Sequence, residues 1–235
     1  MSDNACLSLW LDGPMQSWGH GSRFDRRTTA LHPTRSGVVG LIAAALGIDK
    51  FAGDEAAHIA RFEPLRFTIL ALPRPNRRGR AREMRRLVDY HTVTGIRRAS
   101  GKTDDEATVL TYRHYLLDAR FAVLLEGPAK LLEEIATALR NPKWGVWFGR
   151  KCCLPASPLV VGSPVTRAEA WKQVLQCAGY QGCEPEEAFD RVVEVSMGEA
   201  GADVIDDAPI AFGQPIGERH GPRWVHRLPR STPTE

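Results

Sequence analysis

The sequence has no apolar run long enough to cross a bilayer, so no membrane-spanning segment is expected. Its amino terminus lacks the basic stretch, apolar core and small-residue cleavage site of a secretion leader. Cysteine is scarce and odd in number, five among 235 residues, which argues against a disulfide framework and points to a reducing cytoplasm. Lysine is also scarce, six residues against 25 arginines. No internal repeat is visible, and no Gly-Lys-Ser/Thr follows a glycine loop at nucleotide-binding spacing. What remains, 43% hydrophobic and 25% charged residues, is the composition of an ordinary globule with a sizeable core.

Net charge is only +3, from 31 cations and 28 carboxylates, but the charges are segregated. Between Arg74 and Lys102 lie ten cations: Arg74, Arg77, Arg78, Arg80, Arg82, Arg85, Arg86, Arg97, Arg98 and Lys102. Only Glu83 and Asp89 oppose them. From Glu184 to Ala208 nine carboxylates face the single Arg191, and Arg219, Arg223, Arg227 and Arg230 follow. Guanidinium groups fork onto phosphates and stack on bases, so the basic block suits a polyanion such as nucleic acid. A GC-rich genome, or a solvated loop, would give a blander origin for the same arginines. The acidic block suits a basic protein neighbour or a solvated face.

Apolar runs and turn residues give a coarse order of elements. Cys6 to Leu11 reads as a strand closed by Asp12-Gly13-Pro14. Thr34 or Ser36 can cap a buried helix, apolar almost all round, that ends at Gly47. Leu65 to Leu72 is a second strand, and Thr108 to Leu125 splits into two strand pieces around Leu117-Asp118. Gly127-Pro128 opens a second helix with Leu131, Leu132, Ile135 and Leu139 on one face. The expected fold is therefore α+β, a ferredoxin-like βαββαβ domain of the kind RNA-recognition modules share. Thr166 and Glu169 form a capping box for a third helix reaching about Cys177. Strands near Val192–Val195 and Trp224–Arg227 suggest a smaller, β-rich carboxy-terminal part, giving an expected division into residues 1–150 and 151–235.

Several motifs carry candidate chemistry. Gly13-Pro14-Met15-Gln16-Ser17-Trp18-Gly19 offers an amide at Gln16 and a stacking face at Trp18, next to an arginine loop of Arg23, Arg26 and Arg27. The same string would also serve as a tight turn with a core tryptophan. At the first helix start, Thr34, Arg35, Ser36 and Gly37 combine free backbone N–H groups with a cation, which suits a phosphate; an ordinary cap needs the same residues. His20, His91 and His114, with Tyr90, Tyr112, Tyr115 and Lys102, could support in-line RNA cleavage, although no spacing forces any two together. Cys152, Cys153, Cys177 and Cys183 lack standard ligand spacing, so no metal and no cofactor is expected. Glu186-Glu187 and Asp206-Asp207 read as solvated or partner-facing pairs.

The run from Gly13 to Gly19, Arg27, and Pro33-Thr34-Arg35-Ser36-Gly37-Val38-Val39-Gly40 through Gly47 resemble the CasD family, the fifth CRISPR-associated protein family, in its type I-E Cascade subtype. Tyr112 to Ala119, Phe148 to Pro155, Pro158-Leu159 and Gly162 continue the likeness, which spans about residues 5 to 165. The resemblance implies a ferredoxin-like domain with an inserted β-hairpin thumb, about residues 76–110, and a smaller carboxy-terminal part. It implies a non-catalytic subunit that holds the 5′ handle of CRISPR RNA and caps the foot of the complex. The implied neighbours are the backbone subunit CasC, the large subunit CasA and, through the assembly, target DNA; no membrane is involved. The handle would lie against Gln16, Trp18, Arg23, Arg26, Arg27, Thr34, Arg35, Ser36 and Gly37. Thumb and flanking cations would add Arg77, Arg78, Arg80, Arg82, Arg85, Arg86, His91, Arg97, Arg98, Lys102, Arg113, Arg150 and Lys151. Type I-C relatives cleave repeat RNA, so a metal-independent endoribonuclease is the alternative.

Overall fold

The computed structural model describes residues 4–19, 21, 25–74, 82, 84–97, 103–104, 108–180, 182, 184–213 and 219–231. In chain order its elements are β1 (Asn4–Asp12), β2 (Met15–Gln16), β3 (Arg26–Arg27), α1 (Arg35–Leu46), α2 (Glu55–Ala60), β4 (Arg66–Ala71) and β5 (Arg85–Val93). Then come β6 (Ile96–Arg97), β7 (Thr103–Asp104), β8 (Val109–Leu117), β9 (Arg120–Pro128), α3 (Ala129–Arg140), α4 (Arg167–Cys177), β10 (Arg191–Val195), β11 (Asp203–Ala211) and β12 (Arg219–Leu228). A short 3₁₀ turn, Glu186–Ala188, precedes β10. The fold is mixed α+β with antiparallel sheets.

The principal sheet has the strand order β1-β9-β4-β10-β12-β11, with every pairing antiparallel. Two isolated bridges, Cys6 to Val165 and Leu9 to Val160, lay residues 160–165 along the outer edge of β1. Alternation along β1 explains why its sequence is apolar throughout: both faces are covered. Leu7, Leu9 and Leu11 pack with Val38, Ile42, Leu132 and Ile135 of α1 and α3. Cys6 and Trp10 face the other way, against Trp171, Val174 and Leu175 of α4. α1 is capped by Thr34, whose hydroxyl accepts from Gly37 N–H at 3.1 Å, and closed by Gly47 at φ 73°. Thr166 caps α4 by accepting from Glu169 N–H.

The expected division near residue 150 does not interrupt the sheet. β10 pairs with β4 through Val192 opposite Ile69, so the carboxy-terminal strands continue the surface begun by β1. Side chains reinforce the join. The Arg35 guanidinium reaches both Glu194 oxygens at 2.6 and 2.7 Å, and the buried Glu55 carboxylate accepts from the N–H groups of Phe212 and Gly213.

The hairpin also differs from expectation. β5 pairs with β8 along nine positions, from Arg85 opposite Leu117 to Val93 opposite Val109. The ribbon therefore runs over 85–117, and the whole first half of the expected Thr108–Leu125 strand pair belongs to it. Residues 75–81, the arginine-dense start of the expected thumb, lie outside the described residues. β2 and β3 pair with β8 on the side opposite β5.

Candidate nucleic-acid interface

The Gly13–Gly19 turn is built inward. Gln16 is wholly buried: its Nε2 donates to the carbonyls of Leu11 and Ala119 at 3.0 and 2.8 Å, while its Oε1 accepts from the Trp18 indole. The Trp18 ring lies 5.8 Å from that of Phe148 and under the start of α1, where a Cβ on Gly37 would come within 2.7 Å of it. The amide and stacking face expected to meet a ligand are therefore engaged within the protein. Gly13 is small because the Leu154 carbonyl and the Phe148 ring approach it, not a ligand.

The first helix start is corrected in the same way. Arg35 is 6% exposed, and besides Glu194 its guanidinium donates to the carbonyls of Leu65, Phe62 and Glu63. Its backbone N–H donates to Asp207 Oδ2 at 3.0 Å. Asp207 is itself buried and gripped through both oxygens by Arg223. The anion that the helix end attracts is thus supplied by β11. An open cavity of about 530 Å³ lies in front, lined by Trp18, Gly19, Gly21, Arg27, Thr34, Ser36, Gly37, Asp206, Phe212 and His220 among others. Among the described residues its lining sets Arg27 against two aspartates.

Cations and aromatic faces converge instead on the ribbon. β3 pairs with β8 in parallel at Arg26 opposite Tyr112, and β5 places Tyr90 opposite the same tyrosine. Pleating puts residues directly opposite one another on one face. The Arg26 guanidinium lies 5.7 Å from the Tyr112 ring centre, and the Tyr112 and Tyr90 centres are 5.5 Å apart. Tyr90 is 57% and Tyr112 36% exposed. By alternation Arg86, Val88 and Leu110 share this face, with Val88 and Leu110 also exposed. The outcome is an open cation–aromatic–aromatic row flanked by apolar surface and one more arginine.

Around that row the expected cations separate. Arg27, Lys151, Arg82, Arg85 and Arg86 are exposed. Arg85 is held by Asp118 at 2.8 Å. Arg113 and His91 are half-buried on the other face of the ribbon, where Arg113 Nε donates to Thr111. Arg150 is structural: it donates to the carbonyls of His114 and Arg27 and stacks 4.6 Å over Tyr115, tying its loop to the ribbon foot. The backbone of Arg97 is in β6. Arg23, Arg77, Arg78, Arg80, Arg98 and Lys102 lie outside the described residues, as do His20 and Cys183. His91 and His114 project from opposite faces of the ribbon and do not form one acid–base pair.

Comparison with known proteins bears on this arrangement. Residues 6–213 match the family described as CRISPR-associated protein (Cas_Cas5). The chain belongs to that Cas5 family. A curated relative, the CRISPR system Cascade subunit CasD of Escherichia coli K12, is 35% identical over 162 residues, covering 67% of this chain and 70% of the relative. A chain of a CRISPR RNA-guided surveillance complex superposes with a TM-score of 0.71 at 29% identity, covering 96% of this chain and 90% of that one. A crystal structure described as a Cas protein gives 0.56 at 30% identity, covering 97% and 100%.

In this Cas5 chain six carboxylates of the acidic stretch have partners within the protein, although most of the stretch stays exposed. Glu186 pairs with Arg167, Glu187 with Arg191, Glu194 with Arg35, Glu199 with His226, Asp203 with Arg227 and Asp207 with Arg223. Cys6 and Cys153 are buried, and burial pushes both thiols up to about 12, so neither is a nucleophile at neutral pH. No helix among the described residues is long and apolar enough to cross a membrane. The tyrosine pair, Tyr90 beside Tyr112, is the feature that sequence alone does not bring together. Its signal was the alternation of each strand, which becomes informative only once the register sets Tyr90 against Tyr112.

Proposed function

We propose that this Cas5 chain is a non-catalytic, RNA-binding subunit of a type I-E Cascade complex, holding the 5′ handle of CRISPR RNA at the foot of the assembly. In this reading its core is a ferredoxin-like βαββαβ unit: β1, α1, β4, β9 and α3, with residues 160–165 as a fourth, bridged strand. The β5–β8 ribbon is the thumb. CasC and CasA are its neighbours, and target DNA is met through the assembly.

The row Arg26–Tyr112–Tyr90 carries the reading. Splayed bases of a single strand stack on exposed aromatic rings, and guanidinium groups beside them neutralise the flanking phosphates. A ribbon presenting this row across a bent strand would separate neighbouring bases and set where pairing with target DNA starts.

The test is binding of handle-sequence RNA by the parent chain and by Arg26→Gln, Tyr90→Ala and Tyr112→Ala, followed by assembly with CasC and CasA. Loss of RNA affinity and of assembly in the variants is the expected result. Parent-like behaviour of the triple variant in both assays overturns the reading. Site-specific cleavage of repeat RNA in chelator, lost on His91→Ala or His114→Ala, would overturn its non-catalytic part.

A further inference from the structure

A second pocket, of about 270 Å³, opens on the β5 side of β8, where β4 ends and β8 turns into β9. Arg74, Arg82, Arg85, Arg120 and Arg230 line it, together with the carboxylates Asp118 and Asp190. Among the described residues one of these carboxylates is held by a cation. Asp118 takes Arg85, and Asp190 accepts from the backbone N–H of Arg230 at 2.9 Å. Arg74 pairs with Asp12, yet its buried Nε–H has no acceptor among the described residues.

Arg120 is the most telling of the five. It is 9% exposed and stacks 5.5 Å from the Trp10 ring. Its three nitrogens donate to the carbonyls of Leu72, Ala178 and Pro73 at 3.1, 3.2 and 2.9 Å, and to no carboxylate. Carbonyl dipoles orient the guanidinium, and the carboxylate opposite it across β1 and β9, Asp12, is shared with Arg74, so one anion faces two cations there. Burial, and then the neighbouring Arg74, push its pKa down. A buried cation beside further cations is costly unless an anion joins it, and guanidinium forks match phosphate oxygens.

We propose that this pocket is a second phosphate seat, filled by a phosphodiester of the RNA strand where it crosses the ribbon foot. The seat rests on the RNA-binding reading for the source of the phosphate, not for the chemistry. β2 and β5 flank the same two residues of β8, Leu116 and Leu117, so the seat lies across the ribbon from Ser17 and Arg27. Along β8 it is five residues from the Tyr112 row, about 17 Å at strand rise. By alternation Arg85 and Leu117 belong to the face opposite that row, so a strand that joins the two passes around the β5 edge at the ribbon foot.

The experiment compares the full-length parent with Arg82→Gln/Arg230→Gln, two exposed positions, and with Arg26→Gln. One arm titrates a labelled single-stranded RNA at several salt concentrations. The other follows thermal unfolding in inorganic phosphate against chloride at matched ionic strength. The double variant is expected to bind RNA roughly tenfold more weakly, with a salt slope shallower by about 0.7 per phosphate released. If phosphate stabilises the parent but not the double variant while RNA binding is unchanged or absent, the seat stands with free phosphate as its source. In the absent case only the RNA reading falls. If the double variant matches the parent in both arms, the seat is overturned, whereas a loss confined to Arg26→Gln leaves the RNA reading intact.

Discussion

Gly149 shows how tightly single residues are held around the ribbon foot. Its φ is 87°, and a Cβ there would stand 1.8 Å from the Ser17 carbonyl oxygen. Positive φ alone costs a non-glycine residue about 1–3 kcal/mol, and the collision adds to it. Gly149→Ala is therefore expected to lower the urea midpoint with an unchanged m-value; a parent-like midpoint would contradict this packing. His32 offers a pH-dependent counterpart. Burial pushes its pKa down, assisted by the charges of Arg223 and Arg227 and opposed by the Pro33 carbonyl and by Asp207. The unfolded chain takes up the proton first, at about pH 6.5, so stability is full above that value and declines as pH falls below it. His32→Gln should flatten that acid-side decline in denaturant midpoints measured between pH 7 and pH 5, and an unaltered slope would assign the decline to other groups.

At the scale of elements, the ribbon supplies the most direct functional prediction. Tyr90 and Tyr112 are exposed, so replacing either by Ala should leave the unfolding midpoint nearly unchanged. RNA affinity should fall by about 1–3 kcal/mol for each stacked base lost, read by titration at fixed salt. Much of this level was legible beforehand. The apolar runs of β1, β4 and β9, the capped starts of α1 and α4 and the turn at Leu117-Asp118 are local signals, encoded within a few residues of where they act. What stayed hidden is non-local. Arg35 looked like a ligand for phosphate because nothing near it in sequence announces Glu194, 159 residues away, or Asp207, 172 residues away. A charge run shows that cations or carboxylates are concentrated, but not whether their partners are solvent, ligand or another strand of the same sheet. The short α2 was missed because six residues hold too little periodicity to register.

Across the molecule, the six-stranded sheet takes strands from both halves of the chain. Its strands cross from the amino-terminal to the carboxy-terminal part through the β4–β10 pairing, and the buried pairs Arg35–Glu194 and Asp207–Arg223 span the same join. Urea unfolding should accordingly follow one transition, with far-ultraviolet circular dichroism and tryptophan fluorescence coinciding. Two separated transitions would restore independent parts. The strand order also fixes a schedule for folding. β12 sits between β10 and β11, yet follows both in the chain. As the polypeptide emerges from the ribosome, β10 has its β4 partner at once but keeps one bare hydrogen-bonding edge until residues 219–228 arrive. During that interval a nascent chain offers the edge to any extended segment nearby, so synthesis rate through the last strand becomes a determinant of yield.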